Sequence, residues 1–107
     1  MFTRFVECHV KPDKKDDFTN KLRSDVLPIL QKQPGFVDLI SLVSDDDPER
    51  VVSVSFWNSK QDAERYQREH FNHISEMVRP FLKRDPVVDT FNVDTWTTRH
   101  IAAGKAA

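Results

Sequence analysis

Glycine is nearly missing from this chain: Gly35 and Gly104 are the only two among 107 residues. A phosphate-cradling loop needs several glycines close together, so P-loop and dinucleotide-binding readings are excluded. Cysteine occurs once, as Cys8, so no internal disulfide can form. A reducing cytoplasm is the expected location. No apolar run approaches the roughly 20 residues of a membrane span. The opening stretch from Met1 to Glu7 lacks the apolar core of a signal peptide. An excess of one charge is missing too. Sixteen basic residues against seventeen acidic ones leave a net charge of −1, which gives no pull towards nucleic acid or anionic lipid. What remains is 38% hydrophobic and 31% charged, the balance of a folded, soluble protein. The length suits one domain over residues 1–107.

Hydrophobic spacing sets out the elements. Phe2 to Lys11 alternates and reads as a strand ending at Pro12. From Lys14 to Gln33, Phe18, Leu22, Val26, Ile29 and Leu30 recur at helical spacing, with Asp13 as the expected cap and Pro28 expected to kink the helix or restart it near its end. Pro34-Gly35 stops that helix. Phe36 to Ser44 and Glu49 or Arg50 to Trp57 form a hairpin about the turn Asp45-Asp46-Asp47-Pro48. Ser59-Lys60-Gln61-Asp62 resembles a capping box and opens a helix that runs to Phe81 or Lys83. Val87 to Trp96 is a fourth strand. The tail from Thr97 is expected to extend it or form an arm, fraying from Ala102 to Ala107.

The order β-α-β-β-α-β predicts an α+β, ferredoxin-like fold: one antiparallel sheet with both helices on one face. The strands, however, are apolar in both phases, as at Phe5 with Val6, Leu39 with Ile40, and Val51 with Val52. A sheet with one wet face alternates more cleanly. The second face is therefore expected to pack on a second copy of the chain, giving a homodimer.

Chemistry concentrates on the second helix. At about 100° per residue, Ala63, Tyr66, His70, Ile74, Met77 and Phe81 share one face, with His70 near its centre. A titratable ring there is either a satisfied core residue or the working group of a pocket. Ser53, Ser55 and Trp57 share one strand phase, and the small serines would leave space above the sheet. A cavity lined by these residues with His73 and Met77 suits a flat aromatic ligand. His70 could move a proton near neutral pH, and Tyr66 could orient a phenolic oxygen. His70-x-x-His73 is a weak metal pattern, with Glu69, Glu76 or His9 as conceivable third ligands, and no metal site is expected from it. Cys8, inside a strand, reads as a small hydrophobe rather than a nucleophile.

Several motifs together resemble the antibiotic biosynthesis monooxygenase family. They are Val10-Lys11-Pro12 before a helix, Leu27-Pro28-Ile29-Leu30 followed by Gln33-Pro34-Gly35-Phe36, and Phe56-Trp57-x-Ser59 with Asp62-Ala63 and Tyr66. The likeness runs from about Phe2 to Trp96. It implies a dimeric α+β barrel, in which two ferredoxin-like protomers pack sheet to sheet around a pocket in each. Some members oxidise phenols or quinols with molecular oxygen and neither metal nor flavin; others bind and degrade haem. The chain departs from both types. Anthrone-type oxygenases carry an Asn where Ser53 stands. Haem-degrading members use an Asn on the first strand, where residues 2 to 10 hold none. They also use a Trp where Tyr66 stands, and a His nearer Ser75 or Glu76. Haem is therefore disfavoured. The implied activity is a cofactor-independent monooxygenase acting on a small aromatic phenol or quinol, with His70, Tyr66 and Trp57 as catalytic residues and Ser53, Ser55, His73, Met77 and Phe81 as substrate contacts. The alternative is a non-catalytic ligand- or haem-binding stress-response dimer of the same fold.

Overall fold

The computed structural model describes residues 1–96; the tail expected to form an arm lies outside the described residues. Strand β1 spans Phe2–His9, β2 Phe36–Val43, β3 Arg50–Trp57 and β4 Val87–Asn92. They form one antiparallel sheet in the order β2-β3-β1-β4. Helix α1 covers residues 15–31 and α2 residues 60–81. This is the ferredoxin-like arrangement, with the hairpin β2-β3 splitting the two β-α-β units. No helix among the described residues is long and apolar enough to cross a membrane.

Alternation divides the side chains cleanly. Phe2, Cys8 and Val10 of the first strand region, with Val51 and Trp57 of β3, join Phe18, Val26 and Leu30 of α1 and Ala63, Tyr66, Ile74 and Val78 of α2 in one core. The opposite phase carries Thr3, Phe5 and Glu7, which line a groove with Arg50, Val52, Asp89 and Phe91 on the outer face. Strand β4 is shorter than its apolar pattern suggests. After Asn92 the chain turns over the outer face and lays Trp96 on Phe56, with ring centroids 5.0 Å apart.

Both helices contain a π-helical turn, Leu22–Val26 in α1 and Gln67–Phe71 in α2. Such a turn bonds i to i+5 and inserts one residue into the ladder. In α1 it directly precedes Leu27-Pro28, so the helix continues through the proline instead of ending there. The expected Asp13 cap is not formed: Lys14 is the N-cap, with no side-chain cap hydrogen bond.

Ser59 caps α2 as its motif predicts. The Asp62 amide donates to Ser59 Oγ (3.2 Å), and the Ser59 hydroxyl donates to Asp62 Oδ2 (2.9 Å). Gly35 packs against this cap. Its φ of +81° lies in the left-handed region, and a Cβ added there would overlap the Asp62 side chain. Gly35→Ala therefore combines left-handed strain of about 1–2 kcal/mol with a displaced cap of about 1 kcal/mol. Urea denaturation should show a loss of about 2–3 kcal/mol from these two sources. An unchanged midpoint would mean that the Pro34-Gly35 turn relaxes freely.

Candidate functional site

The space between sheet and helices is walled by short and apolar side chains. The sheet contributes Arg4, Val6 and Cys8 from β1, Leu39 from β2, and Ser53 and Ser55 from β3. Helix α1 contributes Phe18, Leu22, Val26 and Leu30; α2 contributes Tyr66, Phe71, Ile74, Ser75 and Val78. The enclosed part measures about 50 Å³. That is below the roughly 150 Å³ that holds a benzene ring, so a ligand must widen it. Two open clefts share its walls. One of about 170 Å³ adjoins it through Leu22, Leu39 and Ser53. The other, about 260 Å³, shares Arg4 with it and is bounded by Phe2, Lys60, Ala63, Glu64, Gln67, Val88 and Thr90. Both π turns contribute to the cavity wall, where the helical ladders are already irregular.

Arg4 is the unexpected member. It is 3% exposed, on the inward phase of β1. Its Nη2 donates to Gln67 Oε1. Its Cζ lies 5.0 Å from the Tyr66 ring centroid and 4.9 Å from that of Phe71. These cation–π contacts offset part of the cost of taking a guanidinium out of water. Burial lowers its pKa, with Tyr66 opposing the shift. The same burial pushes the Tyr66 hydroxyl up to about 12, with Arg4 opposing. Tyr66 is therefore a neutral donor and acceptor at pH 7. Cys8 is also pushed up to about 12, chiefly by burial, which keeps it a thiol rather than a nucleophile.

Of the residues expected to form the site, Tyr66, Ser53 and Ser55 meet at the cavity wall. Trp57 stands behind it, fully buried, with its ring 5.1 Å from Tyr66. Its indole N–H donates to Ser55 Oγ (2.9 Å), which leaves the Ser55 hydroxyl hydrogen to point elsewhere. The Ser55 carbonyl accepts from Thr3 Oγ1 at 2.8 Å, which ties this part of β3 to β1.

His70 is not on the cavity wall. Its side chain is 36% exposed, with the ring nearly parallel to Tyr66 at 6.3 Å. The π turn is the cause. The face that begins at Ala63 and Tyr66 continues through Phe71, Ile74 and Val78, not through His70, Met77 and Phe81. Met77 and Phe81 are partly buried against the core but do not reach the cavity, and His73 is exposed. His9 pairs with Glu7 (2.8 Å). Among the described residues no three His, Cys, Asp or Glu side chains converge. Among the described residues no imidazole lines the cavity, so they offer no histidine to a haem iron there.

A family model described as antibiotic biosynthesis monooxygenase matches residues 1–77. No curated protein sequence matches the chain. Solved structures share the fold at low identity. A monooxygenase from the gene ActVA-Orf6 of Streptomyces coelicolor, in complex with the ligand nanaomycin D, is 19% identical. The match covers 89% of this chain and 88% of that one, with a TM-score of 0.76. SnoaB of Streptomyces nogalater, a cofactor-independent oxygenase solved as a mutant, is 16% identical over 91% of this chain and 96% of its own, with a TM-score of 0.75. A conserved protein from Methanosarcina mazei is 21% identical, covering 86% and 92%, with a TM-score of 0.73.

Proposed function

Because the chain belongs to the antibiotic biosynthesis monooxygenase family, we propose that it oxidises an aromatic phenol or quinol with molecular oxygen in the cavity between sheet and helices. One observation carries this reading. A largely apolar space brings Tyr66, Ser53 and Ser55 together on its wall and adjoins two open clefts. Such a space excludes water from a reactive anion while a few polar groups orient it.

In this scheme the bound phenol loses its proton, and the anion passes one electron to oxygen. Superoxide and the substrate radical then form a carbon–oxygen bond. The resulting hydroperoxide collapses so that one oxygen atom stays as a carbonyl and the other leaves as water. The substrate supplies all the electrons. Tyr66, neutral through its raised pKa, orients the substrate oxygen beside Ser55. Trp57 fixes Ser55. His70, at the rim and against Tyr66, passes the released proton to solvent. His73, Met77 and Phe81 have no part in it, because they lie off the cavity wall.

The working unit is a homodimer joined through the outer sheet faces. Phe91 and Ile40 on that face are 51% and 45% exposed in the lone chain, and Leu42 and Val87 lie beside them. The free, buried Cys8 is in keeping with a reducing cytoplasm.

Oxygen uptake with anthrone and hydroquinone panels tests the activity. Wild type should consume oxygen. Tyr66→Phe should lower the rate about tenfold or more, the effect of losing one hydrogen bond to a charged oxygen. His70→Ala should lower it by less than about tenfold, because a rim relay can be replaced by water. Binding of these compounds with no oxygen uptake would overturn the oxygenase in favour of a non-catalytic ligand-binding dimer.

A further inference from the structure

Arg4 poses a question that the fold does not answer. A guanidinium on the inward phase of a central strand is an expensive group to bury without an anion. Among the described residues no carboxylate lies within ion-pair distance of Arg4, and the hydroxyl of Tyr66 is neutral at pH 7. Its hydrogen-bond partners are the amide oxygen of Gln67 and the hydroxyl of Tyr66, both uncharged. Yet no buried side-chain nitrogen or oxygen among the described residues lacks a partner. Arg4 lines both the inner cavity and the cleft beyond Gln67, so its charge borders both spaces. The charge is fixed in place by Tyr66 and Phe71, whose ring faces hold the guanidinium. A rigid, desolvated guanidinium with only uncharged partners is well suited to an oxyanion.

We propose that Arg4 is the specificity-determining residue of this site, and that the cavity takes an aromatic ligand carrying an anionic oxygen, with Arg4 in contact with that oxygen. The proposal rests on the aromatic-substrate reading and adds the ligand's charge state to it. An oxygen held by Arg4 also lies near Tyr66, so one end of the ligand is pinned while the ring extends along the apolar wall of Phe18, Val26 and Ile74. The carboxylate of Glu64 borders the neighbouring cleft with Lys60, outside the inner cavity. It does not supply the missing anion.

The test reads binding, not turnover. Equilibrium titrations would use 4-nitrophenol above and below its own ionisation, its methyl ether 4-nitroanisole, and 4-nitrobenzoate. Wild type should bind the phenolate about tenfold or more tightly than the neutral phenol or the ether, the ratio expected of one charge-assisted hydrogen bond. Arg4→Gln should abolish that preference while leaving ether binding within about twofold, and Arg4→Lys should retain part of it. Ether binding by each variant reports that the pocket is folded. Tighter binding of the benzoate than of the phenolate would assign the site to ring carboxylates; the reverse assigns it to phenolates. Equal affinity of wild type for phenolate and ether, an undiminished preference in Arg4→Gln, or no binding of any probe would overturn the proposal. Its failure is separable from that of the oxygenase. Oxygen uptake with no Arg4-dependent preference overturns only the role of Arg4. An Arg4-dependent preference without uptake overturns only the activity.

Discussion

Trp57→Ala should cost about 3–5 kcal/mol of folding stability, the usual penalty for emptying a buried aromatic site. Trp57 is the largest fully buried side chain, at 0% exposure. Its ring meets Phe36 edge-on at 5.6 Å and Tyr66 at 5.1 Å, so it joins the start of β2 to the second helix. A domain of this size has only about 5–15 kcal/mol in all, so the variant should be close to unfolded at 37 °C. Trp57→Phe separates packing from chemistry. It keeps most of the ring but removes the donor to Ser55 Oγ, leaving a buried hydroxyl to find a new partner. Urea denaturation should show about 1–3 kcal/mol for this change. If Tyr66 and Ser55 position a substrate oxygen, activity should fall further than stability does, because the freed hydroxyl can turn towards Trp57's former place. A loss under about 2 kcal/mol for Trp57→Ala would contradict its role as the keystone of the core.

The motif that held Trp57 was legible because strand alternation is a local property. Ser53, Ser55 and Trp57 point to one side of β3 whatever the rest of the chain does. The same holds for the element order, the Ser59 cap and the Gly35 turn, each written in adjacent residues. The setting of His70 is not local in this sense. A regular helical period places it on the cavity face, and one extra residue in the ladder rotates that face away. Nothing in Gln67 to Phe71 announces that insertion, since no proline or glycine marks it. The consequence is specific. Phe71 and Val78 line the cavity where a regular helix would place His70 and Met77. Arg4 was legible in principle. Phe2, Val6 and Cys8 are apolar in one phase of β1, and an arginine interrupting that phase is the same kind of signal as a histidine interrupting a helix face. Its partners were not legible, because Tyr66 and Gln67 lie more than sixty residues away.

Placing a carboxylate on the outer sheet face, by Ile40→Glu or Phe91→Glu, should convert a dimer into folded monomers. Both side chains are about half exposed in the lone chain, so the substitution costs the protomer little, within about 0.5 kcal/mol for an ordinary surface change. In a two-fold dimer the same charge is buried twice. An unpaired carboxylate at such an interface costs about 3–5 kcal/mol, and each 1.4 kcal/mol is tenfold in affinity. The dissociation constant should therefore rise by about a thousandfold or more. The face argues for this outcome through its arrangement as well as its composition. Val54 occupies the middle of it, paired with Phe5 on one side and Ile40 on the other. Phe5 and Phe91 pack edge to face at 5.2 Å, and Trp96 covers Phe56. The charged residues Glu7, Arg50 and Asp89 border the groove there, with Arg50 donating to Glu7 at 2.9 Å. Apolar centre and polar margin are the anatomy of a contact surface. Light scattering with size-exclusion chromatography would read the mass, and circular dichroism the fold. A monomeric wild type, or a Phe91→Glu variant that remains dimeric, would remove the outer face from the interface. Loss of oxygen uptake on conversion to a folded monomer would tie the cavity on one side of the sheet to the contact on the other. The connection would run through β1, whose residues Arg4 and Phe5 face opposite sides.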